Sequence, residues 1–246
     1  MGDFIPDAHV KGLDGDNFIA FICNKYSATL PGISLFLIMP QMYKVFFNNN
    51  TLIISNKKVF NFNIDITFTY TTENKLNEFI FNECAKIKDR KILITYENLD
   101  LLWNAFKNQF KIKTAGGGVV SNKNNELLFI KRRGYWDLPK GHQEKGEYIE
   151  HTALREVAEE CDLENLELNK AICITYHTYW LKGKAILKPT HWYAMNYSGN
   201  YIGTPQIEEE ITEIKWFNSK EISKALENTF PSIKDVIARF FEVVDA

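Results

Sequence analysis

Between Gly141 and Leu163 the chain reads Gly-His-Gln-Glu-Lys-Gly-Glu-Tyr-Ile-Glu-His-Thr-Ala-Leu-Arg-Glu-Val-Ala-Glu-Glu-Cys-Asp-Leu. Acids recur at helical spacing directly after a Pro139-Lys140-Gly141 loop. Glu156, Glu159 and Glu160 are related by i, i+3 and i+4, so a helix projects all three from one side. At that spacing Glu156 and Glu160 repel each other by roughly 0.2–0.5 kcal/mol. A hard divalent ion reverses the sign, because carboxylate oxygens are the preferred ligands of Mg²⁺ and Mn²⁺. Ala153, Leu154, Val157 and Cys161 fall on the other side at the same period, which predicts an amphipathic helix with an acidic working edge. Arg155 lies between the two faces, in reach of Glu147 or Glu156, where an ion pair would orient carboxylates for a metal. The competing reading is a solvated, salt-bridged surface helix. The loop before the helix opposes it, since that loop suits a phosphate as well.

The pattern Gly, five residues, Glu, seven residues, Arg-Glu, an aliphatic, any residue, Glu-Glu, any residue, Gly and an aliphatic resembles the signature of the Nudix (MutT-like) hydrolases. It is met at Gly141, Glu147, Arg155, Glu156, Val157, Glu159, Glu160 and Leu163. Asp162 stands where that pattern has Gly, at a helix end that favours a left-handed backbone; Asp tolerates this conformation better than most residues. The resemblance implies an α/β (α+β) fold, an α/β/α sandwich with a mixed sheet, over roughly residues 113–246. It also implies hydrolysis of a phosphoanhydride in a nucleoside diphosphate linked to another moiety, with Mg²⁺ or Mn²⁺. Carried over position by position, Glu159 and Glu160 are the main metal carboxylates, and Glu156 is a further ligand or the base. The carbonyl of Lys140 is an extra ligand. Arg155 belongs with Glu156 and Glu159 in the catalytic group, supported by Gly141 and Glu147. The run Glu208-Glu209-Glu210 is a second source of a ligand or base, with Glu209 the chosen candidate; the alternative is an acidic solvated turn.

Trp136-Asp-Leu-Pro-Lys-Gly-His142, with Glu144-Lys-Gly-Glu147 following, is similar to the branch containing the diadenosine tetraphosphate hydrolases and the diphosphoinositol polyphosphate phosphohydrolases. By that resemblance the substrate is a (di)nucleoside polyphosphate or a similarly crowded polyphosphate. Arg132, Arg133 and Lys140 put positive charge beside the metal site, where a polyphosphate would lie. His142 is read either as a phosphate contact or as a solvated loop histidine. Two other readings stay open: a nucleotide-sugar or oxidised-nucleotide pyrophosphatase, and a non-catalytic nucleotide sensor that keeps the fold. Three mutually repelling acids argue against the sensor.

The formal net charge of −2 gives no general attraction to nucleic acid or to acidic membranes. Cys23, Cys84, Cys161 and Cys173 show no close pairing and no zinc spacing, which suits a reducing, cytoplasmic compartment. The apolar run Ile33–Met39 is too short to span a bilayer. The first 41 residues also lack the layout of a secretory signal, and residues 1–41 are read as an atypical, weakly ordered extension.

Residues 42–112 read as a small α/β domain without a catalytic constellation. Tyr43–Phe47 and Thr51–Ser55 are strands around Asn48–Asn50. A helix capped by Thr72 runs over Glu73–Ile87, Lys91–Tyr96 is a strand, and Asn98–Phe110 is a second helix whose aromatics have core spacing. Shaping substrate access, mediating a homodimer and docking on the second domain are all open roles for this unit. In the second domain, residues 113–246, the segment from Thr114 through Val120 is a strand whose glycines allow close backbone approach. Asn122–Asn125 is a hairpin turn and Glu126–Lys131 the return strand. Leu166–Trp180 and Ile186–Tyr197 are long strands, with His177, Tyr179, His191 and Tyr193 spaced by two. Tyr193 and Lys188 are the candidates there for touching substrate, against the alternative of an aromatic face packed within the sheet. Ile211–Phe217 is a strand, Ser219 caps the next helix, and Pro231 starts a last helix to Val244.

Overall fold

The computed structural model describes residues 42–57 and 62–244. The extension read over residues 1–41 lies outside the described residues. In chain order the strands are β1 (Met42–Phe47), β2 (Asn50–Ser55), β3 (Ile66–Thr69), β4 (Lys91–Thr95), β5 (Lys111–Ile112), β6 (Ala115–Asn122), β7 (Leu127–Arg132), β8 (Tyr135–Asp137), β9 (Lys140–His142), β10 (Leu166–Leu181), β11 (Lys184–Tyr197) and β12 (Ile211–Phe217). The helices are α1 (Glu73–Glu78), α2 (Leu99–Lys107), α3 (Ile149–Cys161), α4 (Ile222–Glu227) and α5 (Pro231–Val244).

One mixed sheet runs β12-β7-β6-β11-β10-β1-β2-β4-β3. The N-terminal strands therefore extend the sheet of the second domain. Val45, Phe46 and Phe47 of β1 lie in parallel register with Tyr176, His177 and Thr178 of β10. The ion pair Lys44–Asp235, 2.6 Å, ties β1 to α5. The alternation of β1 distributes its side chains to two layers. Val45 and Phe47 enter a core with α1 and α2, while Phe46 stacks on His177 with ring centroids 5.0 Å apart. Tyr43 stacks on Trp103 of α2 at 3.9 Å, so the α2 aromatics serve the core.

Local sequence accounts for most elements. Thr72 accepts from the Lys75 N–H and Asn98 from the Leu101 N–H, capping α1 and α2. The helix expected to run evenly to Ile87 does not. After Glu78 it widens to a π-turn over Phe79–Glu83 and ends in a 3₁₀ turn over Cys84–Lys86. This change of pitch accompanies burial of Phe79, Ile80 and Cys84 in one cluster, a case of packing overriding helical period. Strand β3 went unread because only four residues alternate. Ser219 does not cap α4, whose first residue is Ile222 after Glu221; Asn218 caps the preceding turn by accepting from the Lys220 N–H. Pro231 does begin α5, which reaches Val244. Among the described residues no helix is long and apolar enough to cross a membrane.

The opening that matters lies between β6 and β7. They pair only at Ser121 and Leu127, beside their hairpin turn. Beyond it they part, β9 pairing with β6 and β8 with β7. Leu138 and Pro139 cross the gap. Gly116 and Gly117 make this approach possible. A side chain at Gly116 would meet the α3 backbone at Ala153, and one at Gly117 would meet Lys140 and Trp192. The triplet is thus strand, holding α3 and β9 close, and not a phosphate loop.

Candidate active site

Helix α3 lies over β6 and β9 with Ala153, Val157 and Cys161 buried beneath it. Leu154 packs at the edge of the same cluster. The helix ends at Asp162 in a left-handed conformation, φ 52°, with its N–H donating to the Ala158 carbonyl, as the position of the missing glycine predicts.

The three α3 acids are not equivalent. Glu159 is half-exposed (51%), Glu156 is largely covered (15%), and Glu160 is buried (2%). Glu160 turns inward, where its carboxylate accepts from the Lys140 N–H at 2.9 Å and lies 3.4 Å from Arg132. Burial pushes its carboxyl up to about 7, against the pull of Lys140 and Arg132. The Glu156 carboxylate rests over Gly141, where any Cβ would overlap it. Burial raises the Glu156 carboxyl too, partly offset by Arg155.

Arg155 organises the group. Its Nε and Nη2 donate to both oxygens of Glu147, at 2.8 and 2.9 Å. Its Nη1 donates to Glu156 at 2.8 Å and Glu159 at 3.0 Å, and Nη2 also reaches the His142 carbonyl. The sequence posed Glu147 and Glu156 as alternatives, and one guanidinium takes both. Hydrogen bonds from Arg155 hold the Glu147 carboxyl down at about 2. Thr152 donates to Glu147 at 2.7 Å as well.

The cations around the opening are paired in turn. The Arg132 guanidinium binds Glu209 through both its carbonyl, 2.6 Å, and its carboxylate. Arg133 occupies a left-handed turn position, φ 52°, and pairs with Glu210 in solvent, where that carboxylate raises the guanidinium pKa. Lys140 Nζ pairs with Asp137 and donates to the Leu138 carbonyl at 3.2 Å. Asp137 was not singled out from the sequence. Its signal was the Asp-Leu-Pro-Lys spacing, which puts an acid three residues before the loop lysine. His142 meets the Tyr179 hydroxyl at 3.2 Å, and burial followed by Lys188 lowers its pKa. Tyr193 packs in the core under α3, where burial and then Glu150 push its phenol up to about 12. It serves the sheet face and not the opening. Lys188 lies opposite His177 in the β10–β11 hairpin, and burial followed by Lys140 draws its ammonium down to about 8.

Oxygen donors from Glu156, Glu159 and Glu160 fit a hard cation. The Gly141 cradle and the cost of leaving Glu160 charged and buried point the same way. Among the described residues no three acidic, imidazole or thiol side chains already form a coordination shell; Arg155 and Arg132 engage these carboxylates.

Comparison with known proteins bears on the same region. The NUDIX domain matches residues 111–240, more than half of the chain. The MutT4 protein of Mycobacterium tuberculosis is 35% identical over 101 residues, 39% of this chain and 39% of that one. The RNA pyrophosphohydrolase of Pelagibacter ubique is 31% identical over 127 residues, 46% of this chain and 80% of that one. The chain thus spans about two fifths of the first relative's length and four fifths of the second's. A C. elegans Ap4A hydrolase structure aligns over 54% of this chain and 98% of its own, at 21% identity and TM-score 0.44. The extent of the domain match, over the segment carrying the α3 acids and the Gly141 loop, establishes that this chain belongs to the Nudix family.

Proposed function

We propose that the chain hydrolyses a phosphoanhydride bond of a (di)nucleoside polyphosphate, using Mg²⁺ or Mn²⁺. One observation carries the reading: Arg155 gathers Glu147, Glu156 and Glu159 beside the Lys140–Gly141 strand while Glu160 turns inward below it. The α3 acids thereby collect around a single loop edge, although left to themselves they repel. Family membership and the pyrophosphohydrolase relative support the class of bond.

Glu156, Glu159, Glu160 and the Lys140 carbonyl would hold the metal. When bound, a divalent ion neutralises charge on phosphoryl oxygens and lowers the pKa of a coordinated water. The protein supplies the rest. Glu147 fixes the guanidinium and the guanidinium fixes Glu156 and Glu159, so these carboxylates would hold an ion with little freedom left to lose. The proton of the attacking water passes to one of these carboxylates. Arg132 and Lys140 face the developing charge on the phosphates.

The test is a panel of dinucleoside polyphosphates, nucleotide sugars and inositol pyrophosphates, with product identification, run with Mg²⁺, with Mn²⁺ and with chelator. Turnover should need the metal and favour the polyphosphates. Glu159→Gln should lower it by at least about a hundredfold. Turnover that survives chelation, or near-normal activity of this variant, contradicts the assignment. Metal binding with no turnover on the whole panel favours a sensor.

A further inference from the structure

The turn of the β10–β11 hairpin lies outboard of the catalytic loop and carries a surface of its own. Trp180 is 58% exposed and Leu181 38%, and Lys182 and Lys184 beside them are exposed as well. Strand β5 runs alongside, Lys111 in register with Ile186 and Ile112 with Leu187; both β5 residues are exposed. No Asp or Glu occurs over residues 168–207, nor over residues 101–125. Two segments without an acid therefore meet here, and they bring Lys111, Lys113, Lys182 and Lys184 to one region. Arg132, Arg133, Lys140 and Arg155 each hold an acid, whereas none of these four lysines enters an ion pair among the described residues. The formal net charge of −2 averages over the whole chain and conceals this local field.

Strand alternation orders the patch. Leu181 is in register with Lys184, and Tyr179 and Lys111 both with Ile186, so these side chains fall on one side of the sheet. That side leads to the opening. The Tyr179 hydroxyl meets His142 of the catalytic loop at 3.2 Å, and Lys113 is among the charges felt at His142. Trp180 falls on the other side. It meets Phe81 of the N-terminal unit with ring centroids 5.8 Å and planes 63° apart, and Phe110 backs Phe81 at 5.5 Å. The indole is thus braced and still more than half open. Cations strung along a strand, ending at a braced and exposed indole, suit an extended polyanion that also carries planar rings. An anionic bilayer calls for a broad apolar face to bury, but Trp180, Leu181 and Ile112 are interrupted here by lysines. A duplex keeps its base faces stacked inside and leaves the indole nothing to cover.

We infer that Lys111, Lys113, Lys182, Lys184 and Trp180 form a docking surface for a single-stranded polynucleotide, its backbone along the lysines and a base stacked on the indole. A strand held there runs toward the α3 carboxylates. That its end is the group cleaved rests on the hydrolase reading above; the docking itself does not.

The test is fluorescence anisotropy in chelator with a labelled single-stranded RNA of about twelve nucleotides, ending in a 5′-hydroxyl so that it offers no anhydride and no metal-bridged phosphate. Wild type should bind it with a dissociation constant of roughly 1–100 µM at about 50 mM salt. Trp180→Ala should weaken binding at least about fivefold. Lys111→Ala combined with Lys184→Ala should weaken it too, and should reduce the slope of log affinity against log salt by about 1.4. No binding by wild type, or equal binding by all three proteins, overturns the surface even if hydrolysis proceeds as proposed. A duplex of the same sequence bound as tightly as the single strand overturns it, as does inorganic polyphosphate bound as tightly with no loss in Trp180→Ala. Phosphatidylserine vesicles that sediment the protein while RNA fails to bind would make this a membrane surface instead. RNA binding with the stated losses, in a protein that hydrolyses nothing on the panel, keeps the surface and sinks the hydrolase reading.

Discussion

The carboxylate of Glu156 lies directly over the α-carbon of Gly141, in space that any side chain would take. One residue sits at mid-helix and the other in a three-residue strand, fifteen positions earlier, and their contact joins the acidic helix to the loop. Gly141→Ala should therefore push Glu156 out of line while leaving the fold intact. We expect turnover to fall by about a hundredfold, with an unchanged far-ultraviolet circular dichroism spectrum. Wild-type kinetics in this variant would show that the position of Glu156 is unimportant.

Glu147 acts through Arg155. Its carboxyl is held at about 2 by hydrogen bonds from that guanidinium, against about 4.3 in an unfolded chain. A depressed carboxyl pKa contributes stability that is present above the unfolded value and lost as pH falls toward the folded one. Glu147→Gln should lower Tm at neutral pH and flatten the Tm profile between about pH 4.5 and 2. Releasing Glu156 and Glu159 should also lower turnover by roughly ten- to a hundredfold. Thermal melts across pH and a kcat measurement check both halves.

Asp162 closes α3 with φ 52°. Glycine adopts this conformation without the Cβ clash. Asp162→Gly should stabilise the protein by roughly 0.5–1 kcal/mol, or about 1–4 °C in Tm, without affecting turnover. Loss of stability would mean that the weak 3.4 Å contact from the Tyr201 hydroxyl to Asp162 outweighs the relief.

His177 is neutral in its buried place, its pKa lowered to about 3 chiefly by burial. Unfolding frees it to titrate near 6.5. The unfolded chain then binds a proton that the folded one does not, so stability is lost as pH falls from about 6.5 toward 3. In anion-free buffer, denaturant titrations at pH 7 and pH 5 should show His177→Gln losing about 2 kcal/mol less than wild type over that interval. Equal losses would mean that the ring is already charged or already solvated.

Helix α3, its buried stripe, its left-handed end and the identity of the acids were legible from the residues alone, because each depends on positions within one or two turns of each other. The sequence also located β1, β2, β4 and the long hairpin by alternation, and α5 by Pro231. It could not rank Glu156, Glu159 and Glu160 by burial. Residues adjacent in helical projection diverge once Lys140 donates its N–H to one of them. Nor could it join β1 to β10, a pairing across more than a hundred residues that decides whether the N-terminal unit shares the sheet. That His177 Nδ1 and Thr190 Oγ1 are buried without a hydrogen-bond partner among the described residues was likewise decided by tertiary structure alone. Charge compensation and burial are properties of the assembled neighbourhood, and no local spacing encodes which polar group will be left without a partner.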